Sequence, residues 1–371
     1  MAKERIALWD NLKLILITMV VAGHFADFFT SESPVCRGIF LFIYAFHMPL
    51  FFFVSGLFHS DEKVTQRCLF YFSGGVLLRM FLATFSRVYG NPAPAFPLFH
   101  EDGVPWFLYA LAAFTFIAWV LRKQNFVYLI PAAIVLGCFI GYDKTVGDTL
   151  CLSRIIVFLP CYLAGVAIDP TELAKWKKRN IWLAVPSILM LCGWAALCYF
   201  KTAEIYGLRN LFTGRHPFTA TVAPWGPLVR LACYVLAFFL SGALIILTPS
   251  FKIPFVTKMG ENTLNVFFWH WPVYMTLEHF FHIKSIYATG VKGKALFMLL
   301  SVLITIVLAA VPIFKFPLKQ LRTSIFRIPP VPVKDTDEPD DFPPPESLPA
   351  PEEAAPEDGS PKEEAAPAEE T

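Results

Sequence analysis

Lys13 and His24 lie in the first apolar run, LKLILITMVVAGHFADFF, with ten residues between them. A helix turns about 100° per residue, so eleven steps return it to within about 20° of its start. The two side chains therefore share one face, about 16 Å apart along the axis. An ammonium is a fixed positive charge, and an imidazole can take or give a proton near neutral pH. Ionisable residues inside a membrane span are expensive and point to function. A helix that only anchored the chain would need neither.

Further polar residues sit in comparable positions. Asp27 lies three residues after His24, where it either orients the imidazole or simply marks the end of the span. Asp10 stands three residues before Lys13 and can pair with it. His47 lies near the middle of the second apolar run, just ahead of Pro49, which removes a backbone donor and opens the helix locally. Arg79 lies midway along the third run, where a charge rarely faces lipid. Arg154 and Arg230, near span ends, read as interfacial. His270 stands between Trp269 and Trp271, and Glu261 and Asn262 precede that run.

The elements that must position these residues are membrane helices. The 371-residue chain is 56% apolar and 16% aromatic, with 38 Phe, and its mean hydropathy is +0.55. Ten apolar segments are long enough to span a bilayer or nearly so. They run over 11–30, 37–58, 69–89, 105–121, 126–142, 151–168, 180–200, 227–248, 262–282 and 295–315, the fourth and fifth being short. The expected fold is all-α, a polytopic bundle of about ten transmembrane helices over residues 1–328. The first run is read as a span rather than a cleaved signal, since no small-residue cleavage site follows it. With the N-terminus inside, inner connections hold 16 Lys and Arg against 10 outside. That bias places both termini in the cytoplasm of a plasma-membrane protein.

Residues 329–371 hold 14 acidic residues, two lysines and 12 prolines, a net charge of −12. The whole chain is +2, so the first 328 residues carry +14. The tail has too little apolar surface to fold alone and is expected to be a disordered cytoplasmic segment. The basic remainder should attract anionic lipid headgroups or an anionic substrate. Eight cysteines form no CxxC pair; Cys36 and Cys151 both fall near the outer face, where a disulfide would be geometrically testable. No GxSxG elbow, phosphate-binding Walker loop, HExxH or metal-spaced His/Cys cluster occurs, so neither an acyl-serine nor a metal mechanism has support.

In order along the chain come WDNLKLILITMVVAGHF, FIYAFHMPLFFFVSGLF, VPWFLYAL, SRIIVFLPCYLAGV and GENTLNVFFWHWPVY. Together these resemble the acyltransferase-3 family of integral-membrane O-acyltransferases, and most closely its sugar O-acetyltransferase branch, the fucose 4-O-acetylase-like proteins. The resemblance covers residues of about 5 to 320. It implies transfer of an acyl group, usually acetyl from acetyl-CoA, to a hydroxyl of an extracytoplasmic or membrane-linked glycan. No extracytoplasmic hydrolase-like domain follows, which implies the stand-alone form.

On that reading His24 is the general base that deprotonates the attacking hydroxyl. Lys13 stands where the family more often has Arg; it either snorkels to the interface or stabilises charge along the donor path. His47 is a second acid/base or a hydrogen-bond partner. Lys63 and Arg67, in the short inner loop DEKVTQRC, would meet the phosphates of acyl-CoA, unless they only set topology. Arg79 would bind a phosphate or the developing oxyanion. His270, Trp269, Glu261 and Asn262 would contact the sugar, and Arg215, in the long outer loop 201–225, would help to recognise it. The expected partners are thus an acyl-CoA donor, a glycan or glycolipid acceptor and membrane lipid, with no metal and no nucleic acid. The other class considered is a secondary transporter or flippase, with Lys13, His24 and Arg79 lining a path. Such folds often contain related halves, and 11–142 shows no likeness to 151–315.

Overall fold

Every apolar segment expected to cross the membrane folds as α-helix. The computed structural model describes residues 5–90 and 103–328. The acidic tail from 329 onward lies outside the described residues, as does the assignment of it as disordered. In chain order the helices are α1 (Ala7–Asp27), α2 (Pro34–Tyr44), α3 (His47–Leu57), α4 (Val64–Val88), α5 (Trp106–Val120), α6 (Phe126–Phe139), α7 (Leu152–Val166), α8 (Pro170–Arg179), α9 (Ala184–Phe200), α10 (Thr202–Ile205), α11 (Arg209–Phe212), α12 (Gly226–Leu247), α13 (Pro254–Gly260), α14 (Thr263–Phe281), α15 (Ile283–Tyr287), α16 (Gly290–Ala310) and α17 (Leu318–Phe326). No strand occurs among the described residues. In lipid every backbone donor and acceptor must be satisfied within the chain, and a helix does so segment by segment.

The count of ten spans is not reached on length and apolarity. Six helical stretches are long and apolar enough to cross a membrane: Ala7–Asp27, Pro34–Leu57, Val64–Val88, Ile181–Phe200, Ala223–Leu247 and Gly290–Ala310. The pair α7 and α8, bent by 79°, would make a seventh. The helices α5 and α6 are apolar but short. The helix α14 has 19 residues, yet Asn265, His270 and Glu278 dilute its apolar run. The surface facing outward is that of a membrane protein: Tyr128, Phe200, Phe238, Val291 and Leu299 are all exposed.

The second segment is two helices rather than one. Pro49 cannot donate to the carbonyl of Ala45, four residues earlier, and the break falls there, between Tyr44 and His47. The N-terminus of α2 is capped by Ser33, whose hydroxyl accepts from the Cys36 amide, with Pro34 in the first turn. The N-terminus of α8 is capped by Asp169, which accepts from the amides of Thr171 and Glu172.

At the centre stands α1, touching α2, α3, α13, α14 and α16. Two glycine-mediated crossings draw helices unusually close. A Cβ on Gly56 of α3 would lie 2.1 Å from the Tyr162 carbonyl oxygen, and one on Gly165 of α7 would lie 2.1 Å from that of Phe53. A Cβ on Gly260 would lie 1.9 Å from the Asp10 carbonyl oxygen, so α13 can sit against the start of α1 only with glycine there. We call the end of the bundle where α1 begins the near end, and the other the far end. The helix α14 runs parallel to α1: Glu261 meets Arg5 at 3.5 Å near its start, and Tyr274 meets Phe28 further along.

Candidate active site

His24, on α1, meets two rings of α14. It stacks on His270 with centroids 5.5 Å apart and planes at 23°, and it meets Trp271 edge-on at 5.5 Å. His47, at the first turn of α3, lies within electrostatic range of His24. The sequence thus named all three histidines, and the fold brings them together from three helices.

Hydrogen bonding fixes the proton positions of two of them. A backbone carbonyl only accepts, so a ring nitrogen bonded to one must carry the proton. His47 Nδ1 donates to the Ile43 carbonyl at 2.8 Å, bridging the break between α2 and α3. His270 Nδ1 donates to Phe267 at 2.6 Å. When the rings are neutral, both Nε2 atoms are left as acceptors. His270 Nε2 is buried without a hydrogen-bond partner among the described residues. His47 and His270 are buried, whereas His24 keeps accessible surface in their midst. Tyr44 packs its ring on His47 at 4.8 Å and lies within electrostatic range of Asp27, Arg209 and Arg154.

Asp27 does not orient His24. Its carboxylate is ion-paired with Arg209 at 2.8 Å and accepts from the Thr30 hydroxyl at 3.3 Å. Burial pulls the Arg209 guanidinium down, but Asp27 and Tyr206 more than restore it, so its pKa lies above the ordinary value. Arg215 is also held at the far end, by Asp148 at 2.6 Å. Asp148 bonds Arg154 as well, at 3.1 Å.

At the near end Lys13 pairs with Asp10 at 2.7 Å, as its spacing suggested. Arg5 bonds the other carboxylate oxygen at 2.7 Å, and Asp10 hydrogen-bonds strongly enough to raise the Arg5 pKa. The Lys13 ammonium also sits 5.9 Å from the centre of the Phe58 ring. Arg67 donates to the Phe58 carbonyl at 3.2 Å. Lys13 and Arg67 therefore meet at Phe58; Arg67 lies in the first turn of α4 rather than in a loop, and Lys63, which precedes that helix, is exposed. Arg79 is half-buried on α4 and has interaction partners of its own.

Three expected sugar contacts lie elsewhere. Glu261 faces Arg5 at the near end. Asn262 donates to the Ala309 carbonyl at 2.9 Å, closing the end of α16. Trp269 donates to the Phe316 carbonyl at 2.7 Å and packs on Phe81 and Phe314. Two positions on a helix differ by about 200°, so Trp269 and Trp271 could not both wall one slot. Trp271 is the one beside His24; the sequence reading placed both beside His270 but chose Trp269 as the sugar contact, and counting the helical angle from His270 would have separated the two.

The eight cysteines are free, Cys36 and Cys151 included. Among the described residues no group of three or more His, Cys, Asp or Glu is placed to hold a metal.

A helical membrane protein with an inward-facing histidine cluster between two charged ends is a frame for proton-coupled transfer chemistry within a bilayer. The family's model, described as an acyltransferase domain, matches residues 6–314, and the chain belongs to the acyltransferase-3 family. No curated protein and no solved structure matches it. The protein is an acyltransferase of the membrane.

Proposed function

We propose that the protein moves an acyl group, acetyl by preference, from acyl-CoA to a hydroxyl of an extracytoplasmic or membrane-linked glycan. The observation that carries this reading is His24, accessible among buried neighbours and packed on His270, whose Nε2 has no partner. Two neutral histidines leave their Nε2 atoms as acceptors beside His24, where an incoming hydroxyl can be received. The near end is the cytoplasmic side, where Lys13, Lys63 and Arg67 would meet the phosphates of the donor.

The hydroxyl oxygen attacks the thioester carbonyl carbon while His24 takes the hydroxyl proton. The new C–O bond forms, the C–S bond breaks, and the CoA thiolate leaves and is protonated from His24. The base is thereby restored.

The test is transfer of labelled acetyl from acetyl-CoA in membranes, normalised to protein level. His24→Ala should lose about 10²–10⁴ in rate, the usual contribution of a positioned acid/base. Lys13→Arg should keep much of the activity and Lys13→Ala little. Near-normal transfer by His24→Ala would remove His24 from this role and move the base to His47.

A further inference from the structure

An aromatic step leads from His24 toward the far face. Phe28 lies one turn beyond His24, about 6 Å along α1. It stacks on Tyr274 at 4.4 Å and on Trp271 at 5.8 Å, while Trp271 and Tyr274 meet at 5.5 Å. His24, Phe28 and Trp271 keep accessible surface, although Phe25, His270 and Phe268 beside them are buried.

The His24 ring does not face the apolar groove on α1. The groove is an almost wholly apolar cavity of about 390 Å³, lined from α1 by Thr18, Met19 and Ala22. At about 100° per residue, His24 lies about 120–160° round the helix from those three positions, and Phe28 about 80–180°. The opening at His24 therefore lies on the side of α1 turned to α14.

Lys284, just beyond the far end of α14, stands at the rim. Its ammonium lies 5.8 Å from the centre of the Phe28 ring, near the outer limit of a cation–π contact. The neighbouring acid, Glu278, accepts from the Lys284 backbone amide at 2.8 Å. An ammonium has three donors and no acceptor, so Lys284 retains capacity for an anion.

We infer that Trp271 and Phe28, backed by the buried Tyr274 ring, form the acceptor subsite for a pyranose ring, and that Lys284 holds an anionic substituent, carboxylate or phosphate, on that sugar. The inference rests on the acyl-transfer reading for the role of His24. The apolar C–H face of a sugar buries against aromatic faces. Its hydroxyls stay at the edge, one turn of helix from the imidazole.

Binding to the full chain in detergent tests this without any transfer reaction. The probes are glucose, glucuronate and glucose 1-phosphate, titrated by saturation-transfer NMR. Wild type should bind one or both charged sugars about fivefold tighter than glucose, a surface ion pair's worth, and the charged probe favoured identifies carboxylate or phosphate. Lys284→Gln should abolish that preference and keep glucose binding. Trp271→Leu should weaken all three about tenfold, and Trp271→Phe should keep most of the binding. A preference that survives Lys284→Gln, no preference in wild type, or unchanged binding in a folded Trp271→Leu overturns the subsite. Sugar binding that stays intact in a wild type unable to transfer acetyl would leave the subsite standing and remove the acyl-transfer reading instead.

Discussion

His59 shows how a single half-buried residue ties chemistry to stability outside the histidine cluster. It follows α3, with Nδ1 3.0 Å from the Tyr162 hydroxyl and Nε2 3.2 Å from an Asp61 carboxylate oxygen. Burial pushes its pKa below the ordinary histidine value, and Asp61 restores only part of the loss. A group whose folded pKa is depressed takes its proton more readily in the unfolded chain. Stability therefore rises with pH across this window, and is lost as pH falls through about 6.5 toward the depressed folded value. His59→Gln keeps a hydrogen-bonding group toward Tyr162 and removes the titration. Thermal unfolding in detergent at about pH 7.5 and 5.5 should show a smaller acid-side loss for the variant than for wild type. Equal losses would clear His59 of this role. At this scale the sequence was most informative about the histidines, because an imidazole in an apolar run is conspicuous. It was least informative about partners: Asp27, three residues from His24, binds Arg209, which is far away in sequence.

Packing between elements was only half legible. Pro49 announced a break, and α2 and α3 part where its missing donor requires. The glycines of FFFVSGLF and CYLAGV were visible, but nothing in either run says that Gly56 and Gly165 meet. That contact belongs to the crossing of α3 and α7, where each Cα faces the other backbone at a distance that excludes a Cβ. In lipid, close backbone approach replaces the hydrophobic drive as a source of helix association. Gly165→Leu should therefore force α7 from α3, at a cost of about 1–3 kcal/mol or more. A lower midpoint of thermal unfolding in detergent is the expected result, with Gly193→Leu as the control, since a Cβ there meets nothing within 4 Å. Equal midpoints for the two variants would mean that the crossing contributes little to stability.

The whole molecule places both ends of the described chain together, and does so independently of how many segments count as spans. Arg5 reaches Glu261 at the start of α14, and Asn262 reaches Ala309 at the end of α16. The chain then continues into α17, and the Ile328 carbonyl accepts from Gln66 at 3.1 Å, near the start of α4. Arg67 beside it bonds Phe58, which also meets Lys13. Residues 5 and 328 therefore lie at the same end of the bundle. Hydropathy located all ten helical segments, but only six or seven meet the length and apolarity of a span, since α5 and α6 are short and polar side chains dilute α14. In the proposed orientation, drawn from the Lys and Arg bias, the near end faces the cytoplasm. The acidic tail that follows residue 328 should then be cytoplasmic too. A protease added to intact cells should leave a C-terminal epitope tag untouched and should remove it once the membrane is permeabilised. Cleavage of the tag in intact cells would reverse the orientation, placing the Lys13–Arg67 end outside and away from a cytosolic donor.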